Sequence, residues 1–104
     1  MILVDLRSAQ EFAAGHAPNA INVPAEIEPM SAAGRAALWR DLARTFAAVD
    51  RRTPVRFYCR EGNRARTATA MLNAMGFSNV QNVGGPQAGP MAKALVTGQL
   101  GFVR

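Results

Sequence analysis

The chain has 104 residues, 49% of them hydrophobic, with one cysteine, one histidine and a net charge of +5. That is enough apolar material for the core of one small domain spanning 1–104. No apolar run is long enough to cross a bilayer, and a lone cysteine excludes an internal disulfide.

Ile2-Leu3-Val4 is a short apolar run suited to a strand buried on both faces. Ser8-Ala9-Gln10-Glu11 is a capping-box pattern, which starts a short helix after Ser8; Gly15 is placed to end it. Ala20 to Val23 predicts a second strand, closed by Pro24. The longest helical candidate runs from Ser31 to Val49. Leu38, Trp39, Leu42, Phe46 and Val49 make its apolar face, and Arg35, Arg40, Asp41, Arg44 and Thr45 lie elsewhere. Trp39 is read as core or flank packing.

After a polar turn from Asp50 to Pro54, Val55-Arg56-Phe57-Tyr58 alternates and is rich in β-branched and aromatic residues, the pattern of a strand. Ala65, Ala68, Leu72 and Met75 then recur at helical spacing, up to Gly76, a suitable left-handed cap. Ser78 to Val83 predicts the last strand. Gly84-Gly85-Pro86 and Gly89-Pro90 are loop signals, and a short helix is expected from Met91 to Val96. In the tail from Gly98 to Arg104, three fates are open to Leu100, Phe102 and Val103: packing on the core, pairing with a partner chain, or staying loose. There is no internal repeat or low-complexity segment. Strands alternating with helices imply an α/β fold, a small parallel sheet with helices on both faces and right-handed crossovers.

The stretch from Phe57 to Arg66 carries the chemistry, because Cys59 falls between a strand end and a helix N-terminus. In open α/β sheets ligands bind at that edge. Gly62 permits a tight backbone turn, so the loop is expected to aim several N–H groups at the sulfur. The positive end of the helix dipole favours negative charge there, and Arg60 and Arg64 add full charges. Together these favour the nucleophilic thiolate. The plainer alternative is a buried, inert cysteine.

All but one of the twelve basic residues are arginine, and Arg51, Arg52, Arg56, Arg60, Arg64 and Arg66 crowd one segment. Aromatic residues are sparse around them and no nucleic-acid motif accompanies them, so nucleic acid is not expected as a partner. A basic rim around the Cys59 loop, drawing small anions, fits better. Arg51, Arg52 and Arg56 are expected only to solvate a turn and an edge. Asp5 and Arg7 flank the end of the first strand and read as a structural ion pair.

Cys59-x-x-Gly62-x-Arg64 resembles the active-site loop of rhodanese-type sulfurtransferases. Val4-Asp5-Leu6-Arg7, Glu11-Phe12, Gly15-His16 and Asn19 to Pro24 resemble the family's N-terminal signature. Met75 to Val80 resembles its step from helix to strand, and Gly84-Gly85 its glycine pair. The closing run Asn82 to Pro86 is most similar to the small single-domain members of the phage-shock-protein-E type. The resemblance spans roughly Leu3 to Met91 and implies a rhodanese-like fold.

It also implies a thiosulfate sulfurtransferase in which Cys59 carries a sulfane sulfur as a persulfide. Arg60, Glu61, Gly62, Asn63 and Arg64 are then the substrate-binding loop, and His16 belongs to a structural turn. No metal and no cofactor are needed. The partners would be a small anionic sulfur donor and a thiophilic acceptor, a protein thiol included, with no membrane and no nucleic acid. Glu61, a negative charge beside Arg60, and Ala65, where the family often has serine, depart from the pattern and bear on donor identity.

Two other classes are weighed. Some rhodanese-like domains are non-catalytic binding modules, though such domains often lose the cysteine. Cysteine phosphatases and arsenate reductases have a related loop, with arginine at the sixth position after cysteine; that position here is Ala65, and Arg64 falls one short. No signal peptide precedes the first predicted strand. The chain as it stands reads as cytoplasmic, and as periplasmic if a leader has been trimmed; a fused neighbour and the oligomeric state are left open.

Overall fold

Eight elements alternate along the chain: β1 (Ile2–Asp5), α1 (Ala9–Ala14), β2 (Ile21–Asn22), α2 (Ala32–Thr45), β3 (Val55–Tyr58), α3 (Asn63–Ala74), β4 (Val80–Asn82) and α4 (Gly89–Val96). The computed structural model describes all residues from Met1 to Arg104. Every strand pairing is parallel, in the order β2-β1-β3-β4, with Val4 opposite Phe57 and Asp5 opposite Tyr58. The expected parallel α/β sheet is therefore present, and β3, which delivers Cys59, lies inside it.

Alternation along the strands divides the core in two. On one face Val4, Val55 and Phe57 pack with Leu38, Leu42 and Phe46 of the α2 segment and with Ala65, Ala68 and Leu72 of α3. On the other, Tyr58 packs with Ala17, Ala20 and Met91, flanked by Leu3, Phe12, Leu95, Leu100 and Phe102. Burying each large side chain contributes roughly 1.5–3 kcal/mol. Phe46 meets Phe57 and Phe77 edge-on, at ring separations of 6.4 and 5.4 Å.

The helix ends are set by local caps. The Ser8 hydroxyl accepts the Glu11 N–H at 3.1 Å, and the Glu11 carboxylate accepts the Ser8 N–H at 3.2 Å, which completes the capping box. Ser31 caps α2 through the Gly34 N–H at 3.0 Å. Gly76, at φ 96°, takes the left-handed conformation after α3. Pro90 sits in the first turn of α4, where its missing N–H would have had no partner, so that helix begins before Met91.

Two helical expectations are corrected. α2 ends at Thr45 rather than Val49. The Arg51 guanidinium donates to the carbonyls of Phe46 and Val49, at 3.4 and 3.0 Å, groups that have no intrahelical partner at the end of the segment. Trp39 is not core: it is 43% exposed, whereas Leu38 and Leu42 are buried. The buried stripe follows the i, i+4, i+8 row through Leu38, Leu42 and Phe46, one position away from Trp39.

Asp5 and Arg7 form the expected structural ion pair, at 2.8 Å, within a larger buried cluster. The Tyr58 hydroxyl donates to Asp5 at 2.7 Å and accepts the Ala17 N–H at 3.0 Å. Arg7 also donates to the Gly15 carbonyl at 2.7 Å. The tail packs on this cluster. Val103 and His16 exchange backbone hydrogen bonds of 2.7 and 2.8 Å, and Phe102 lies under the Arg7 guanidinium at 5.2 Å. His16 stacks on Phe12 with ring centroids 3.8 Å apart, and its Nδ1 meets the Phe12 carbonyl at 2.9 Å. It is occupied in the turn that the resemblance implied.

Tyr58→Phe removes one donor and one acceptor from this cluster and leaves the Ala17 N–H buried without a partner. The expected cost is about 1–3 kcal/mol in urea unfolding, with an unchanged denaturant slope. Burial, reinforced by the bond to Asp5, raises the Tyr58 pKa above its ordinary value. The unfolded phenol ionises near pH ~10 while the folded one stays neutral, so its contribution is complete below that pH and is lost as pH rises further. The stability gap between wild type and Tyr58→Phe should therefore narrow above that pH. A gap independent of pH would show that Tyr58 is not held in its neutral form.

Candidate functional site

Cys59 leaves β3 with its N–H bonded to the Gly84 carbonyl at 3.0 Å. The chain turns back within the next three residues. Gly62 has φ 103°, a conformation that side-chain-bearing residues rarely adopt, and α3 starts at Asn63. The turn brings the Gly62 N–H to 3.1 Å from the Cys59 Sγ. Only this one backbone N–H reaches the sulfur, where several were expected. Cys59 is packed with the core on the α2/α3 face and is 1% exposed, so apolar atoms occupy most of the space around it.

The loop is clamped from the β4 side. Asn82 donates its amide to the Gly62 carbonyl at 2.9 Å and accepts the Gly84 N–H at 2.9 Å. The Gln87 N–H donates to the Arg60 carbonyl at 3.1 Å. Gly85 is pressed so closely on the loop that a Cβ there would lie 2.0 Å from the Cys59 carbonyl oxygen and 2.4 Å from that of Arg60. The glycine pair noted in the sequence thus permits backbone-to-backbone contact. Asn82 carried no such signal, since its role depends on a neighbour 20 residues away.

A cleft of about 110 Å³ opens beside the sulfur, lined by Cys59, Arg60, Glu61, Asn63 and Arg64 from the loop and by Ile27 and Glu28 from the segment before α2. Five of the six loop residues picked out in the sequence line it, and the sixth, Gly62, supplies the N–H behind it. Arg64 is 6% exposed and its guanidinium is 3.5 Å from the Leu6 carbonyl. Arg60 turns outward to Glu11, at 2.9 Å. Burial pushes the Glu11 pKa up, but Arg60 and Ser8 outweigh it and the carboxyl stays below its ordinary value. The partner of Arg60 is therefore Glu11 rather than the adjacent Glu61, which is exposed.

Of the six clustered arginines, Arg60 and Arg64 line the cleft. Arg51 lies over the Phe77 ring at 4.8 Å, Arg52 pairs with Asp50 at 3.3 Å and Arg56 bonds Asn79 at 3.1 Å. These three serve the turn and the sheet edge, as the sequence suggested. Arg66 donates to the Asn63 side chain at 3.1 Å. Sequence reasoning missed Ile27 and Glu28, because nothing local marks the segment before α2 as part of a site.

The rhodanese-like domain family matches residues 1–86, and the chain belongs to that family. A rhodanese-like domain from Anabaena sp. superposes with a TM-score of 0.69 at 16% identity, over 100% of this chain and 99% of that one. A rhodanese from E. coli, solved with anions, gives 0.61 at 26% identity over 81% of this chain and 85% of its own. A rhodanese-related protein from Thermoplasma volcanium gives 0.62 at 20% identity over 98% and 82%. Curated protein sequences contain no match. No helix is long and apolar enough to cross a membrane.

Gly85→Ala must push the Cys59–Arg60 backbone out of place, and overpacking of this kind costs roughly 1–3 kcal/mol. Gly101→Ala is the control, since nothing lies within 4 Å of its Cβ position. In parallel thermal melts Gly85→Ala should unfold earlier and Gly101→Ala should match wild type. Equal melting of both variants would mean that the loop is not confined by Gly85.

Proposed function

We propose that the protein is a sulfurtransferase that moves a sulfane sulfur from a donor such as thiosulfate to a thiophilic acceptor through a Cys59 persulfide. The observation that carries this reading is the placement of Cys59 Sγ, 3.1 Å from the Gly62 N–H and at the cleft lined by Arg60, Asn63 and Arg64. Membership of the rhodanese-like family supports it, as do the anions of the E. coli relative.

In the first step the Cys59 thiolate attacks the outer sulfur of thiosulfate. A bond forms between the two sulfurs, the bond to the sulfonyl sulfur breaks, and sulfite leaves with the electron pair. In the second step the acceptor, cyanide for example, attacks the outer sulfur of the persulfide, and the electron pair returns to Cys59. This is two-step covalent catalysis. The Gly62 N–H and the positive end of the α3 dipole stabilise negative charge on the inner and outer sulfur. Arg64, buried at the cleft wall, holds donor oxygens in a fixed frame; Arg60 contributes less, because Glu11 already occupies it.

A phosphatase reading fits less well. The loop from Cys59 to Arg64 is one residue short of that pattern, so Ala65 stands where the phosphatase arginine would be. A binding-module reading gives Cys59 no task.

Incubation with thiosulfate should add one sulfur atom to the intact mass of wild type. Folded Cys59→Ser should take up none and turn over none; full turnover by that variant would falsify the mechanism. Arg64→Lys keeps the charge but loses the planar fork. With a charged hydrogen bond worth about 1.5–3 kcal/mol, its KM for thiosulfate should rise roughly ten- to a hundredfold with a smaller change in kcat. Arg60→Ala should raise KM less. Unchanged KM in both variants would leave the backbone and helix dipole as the only anion holders.

A further inference from the structure

The cleft has a second wall that the mechanism above does not use. Ile27 and Glu28 come from the connection between β2 and α2, and Ile27 is 69% exposed at that wall. Glu28 is held from two sides: one carboxylate oxygen accepts the Met30 N–H at 3.0 Å and the other accepts the Thr67 hydroxyl of α3. The Thr67 bond, opposed by partial burial and aided by the Met30 N–H, keeps its pKa below the ordinary carboxylate value. Arg35 and Arg66 act on it from a distance, but no cation stands within ion-pair distance of it.

Two guanidinium groups and two carboxylates, those of Glu28 and Glu61, therefore line the cleft, and one of the guanidiniums is already paired with Glu11. Such a cleft does not reward every anion alike. A fixed carboxylate at one wall, with an aliphatic side chain beside it and a sulfur carrier at the other, matches a small molecule with a thiolate at one end, an ammonium at the other and a short carbon chain between.

We propose that Glu28 is a specificity determinant that directs the Cys59 sulfur to small aminothiols and against acceptors carrying a second negative charge. This inference rests on the sulfur-transfer reading and adds the acceptor class. The acceptor loses its thiol proton to solvent, and its thiolate bonds to the outer sulfur of the Cys59 persulfide. The sulfur–sulfur bond to Cys59 breaks, and its electron pair restores the Cys59 thiolate. One persulfide replaces another with no net oxidation. The ammonium group meets Glu28 during the attack, whereas a carboxylate in its place is repelled.

The test uses the full chain loaded with thiosulfate, with loading confirmed by intact mass. Discharge is then timed with cysteamine, mercaptoacetate and 2-mercaptoethanol, which are similar in size and differ in charge. The readout is the cysteamine-to-mercaptoacetate ratio of second-order rate constants, compared between proteins so that intrinsic thiol reactivity cancels. Glu28→Gln keeps groups able to bond Thr67 and Met30 and removes only the charge. It should lower the ratio roughly two- to fivefold, the range for a solvent-accessible ion pair, and leave 2-mercaptoethanol unaffected. Asp41→Asn, on the outer side of α2, makes the same change in net charge and should leave the ratio at the wild-type value. Added salt should narrow the wild-type ratio towards that of Glu28→Gln. An unchanged ratio in Glu28→Gln, or an equal drop in Asp41→Asn, overturns the role of Glu28. Failure of wild type to load sulfur, or to release it to any of the three thiols, overturns the sulfur-transfer reading instead.

Discussion

The backbone between Cys59 and Gly62 has to reverse direction inside a space bounded on one side by the core and on the other by Gly85. That confinement positions Cys59. Gly62 provides the left-handed turn, Gly85 provides the absence of a side chain, and Asn82 bonds both the loop and the glycine hairpin. With the turn this tight, a single N–H reaches Sγ, and α3 begins at the next residue. Cys59, the Gly62 N–H and the helix dipole are thus fixed by covalent proximity and by one hairpin, with the Asn82 amide tying the loop to that hairpin. Preorganisation of this kind keeps the Gly62 N–H aimed at Sγ without further reorganisation.

The opposite face of the sheet keeps the strand that delivers Cys59 in register. Tyr58, the residue before Cys59, points away from the α2/α3 core into the cluster with Asp5 and Arg7. Burial of a charged pair is costly unless its hydrogen-bonding capacity is filled, and here Tyr58, the Gly15 carbonyl and the Arg7 N–H fill it. Phe102 closes the cluster from the tail. Moving Tyr58 along the strand would break these bonds and turn Cys59 towards the wrong face, since side chains alternate along a strand.

What was legible in the sequence depended on how local its cause was. The capping box at Ser8 and Glu11, the left-handed Gly76 and the strand–Cys59–helix order all follow from neighbours a few residues apart. The parallel sheet followed from alternation of elements, and the Asp5–Arg7 pair from two charges beside an apolar run. Trp39 was misplaced because an amphipathic face read from a wheel is accurate to about one position, and its neighbour Leu38 took the buried row. The cleft was half legible. Its loop wall is contiguous in sequence, but Glu28 reaches it across 39 residues through Thr67, and Glu11 reaches Arg60 across 49. Such pairings are set by the packing of α1, the β2–α2 connection and α3 around the strand ends, and no local pattern encodes them.

The same distinction governs the charge. A net charge of +5 acts on an approaching anion from a distance, within a screening length of about 8 Å at physiological salt. Once a substrate is inside the cleft, only the groups in contact with it decide, and there the surplus disappears. Arg51, Arg52 and Arg56 stabilise the turn before β3 and the sheet edge, Arg60 is neutralised by Glu11, and Arg64 shares the cleft lining with Glu28 and Glu61. An arginine-rich composition therefore assists encounter with small anions without building an anion trap. Under the sulfur transfer proposed above, a cleft of balanced charge releases an anionic first product more readily than one lined only with arginine.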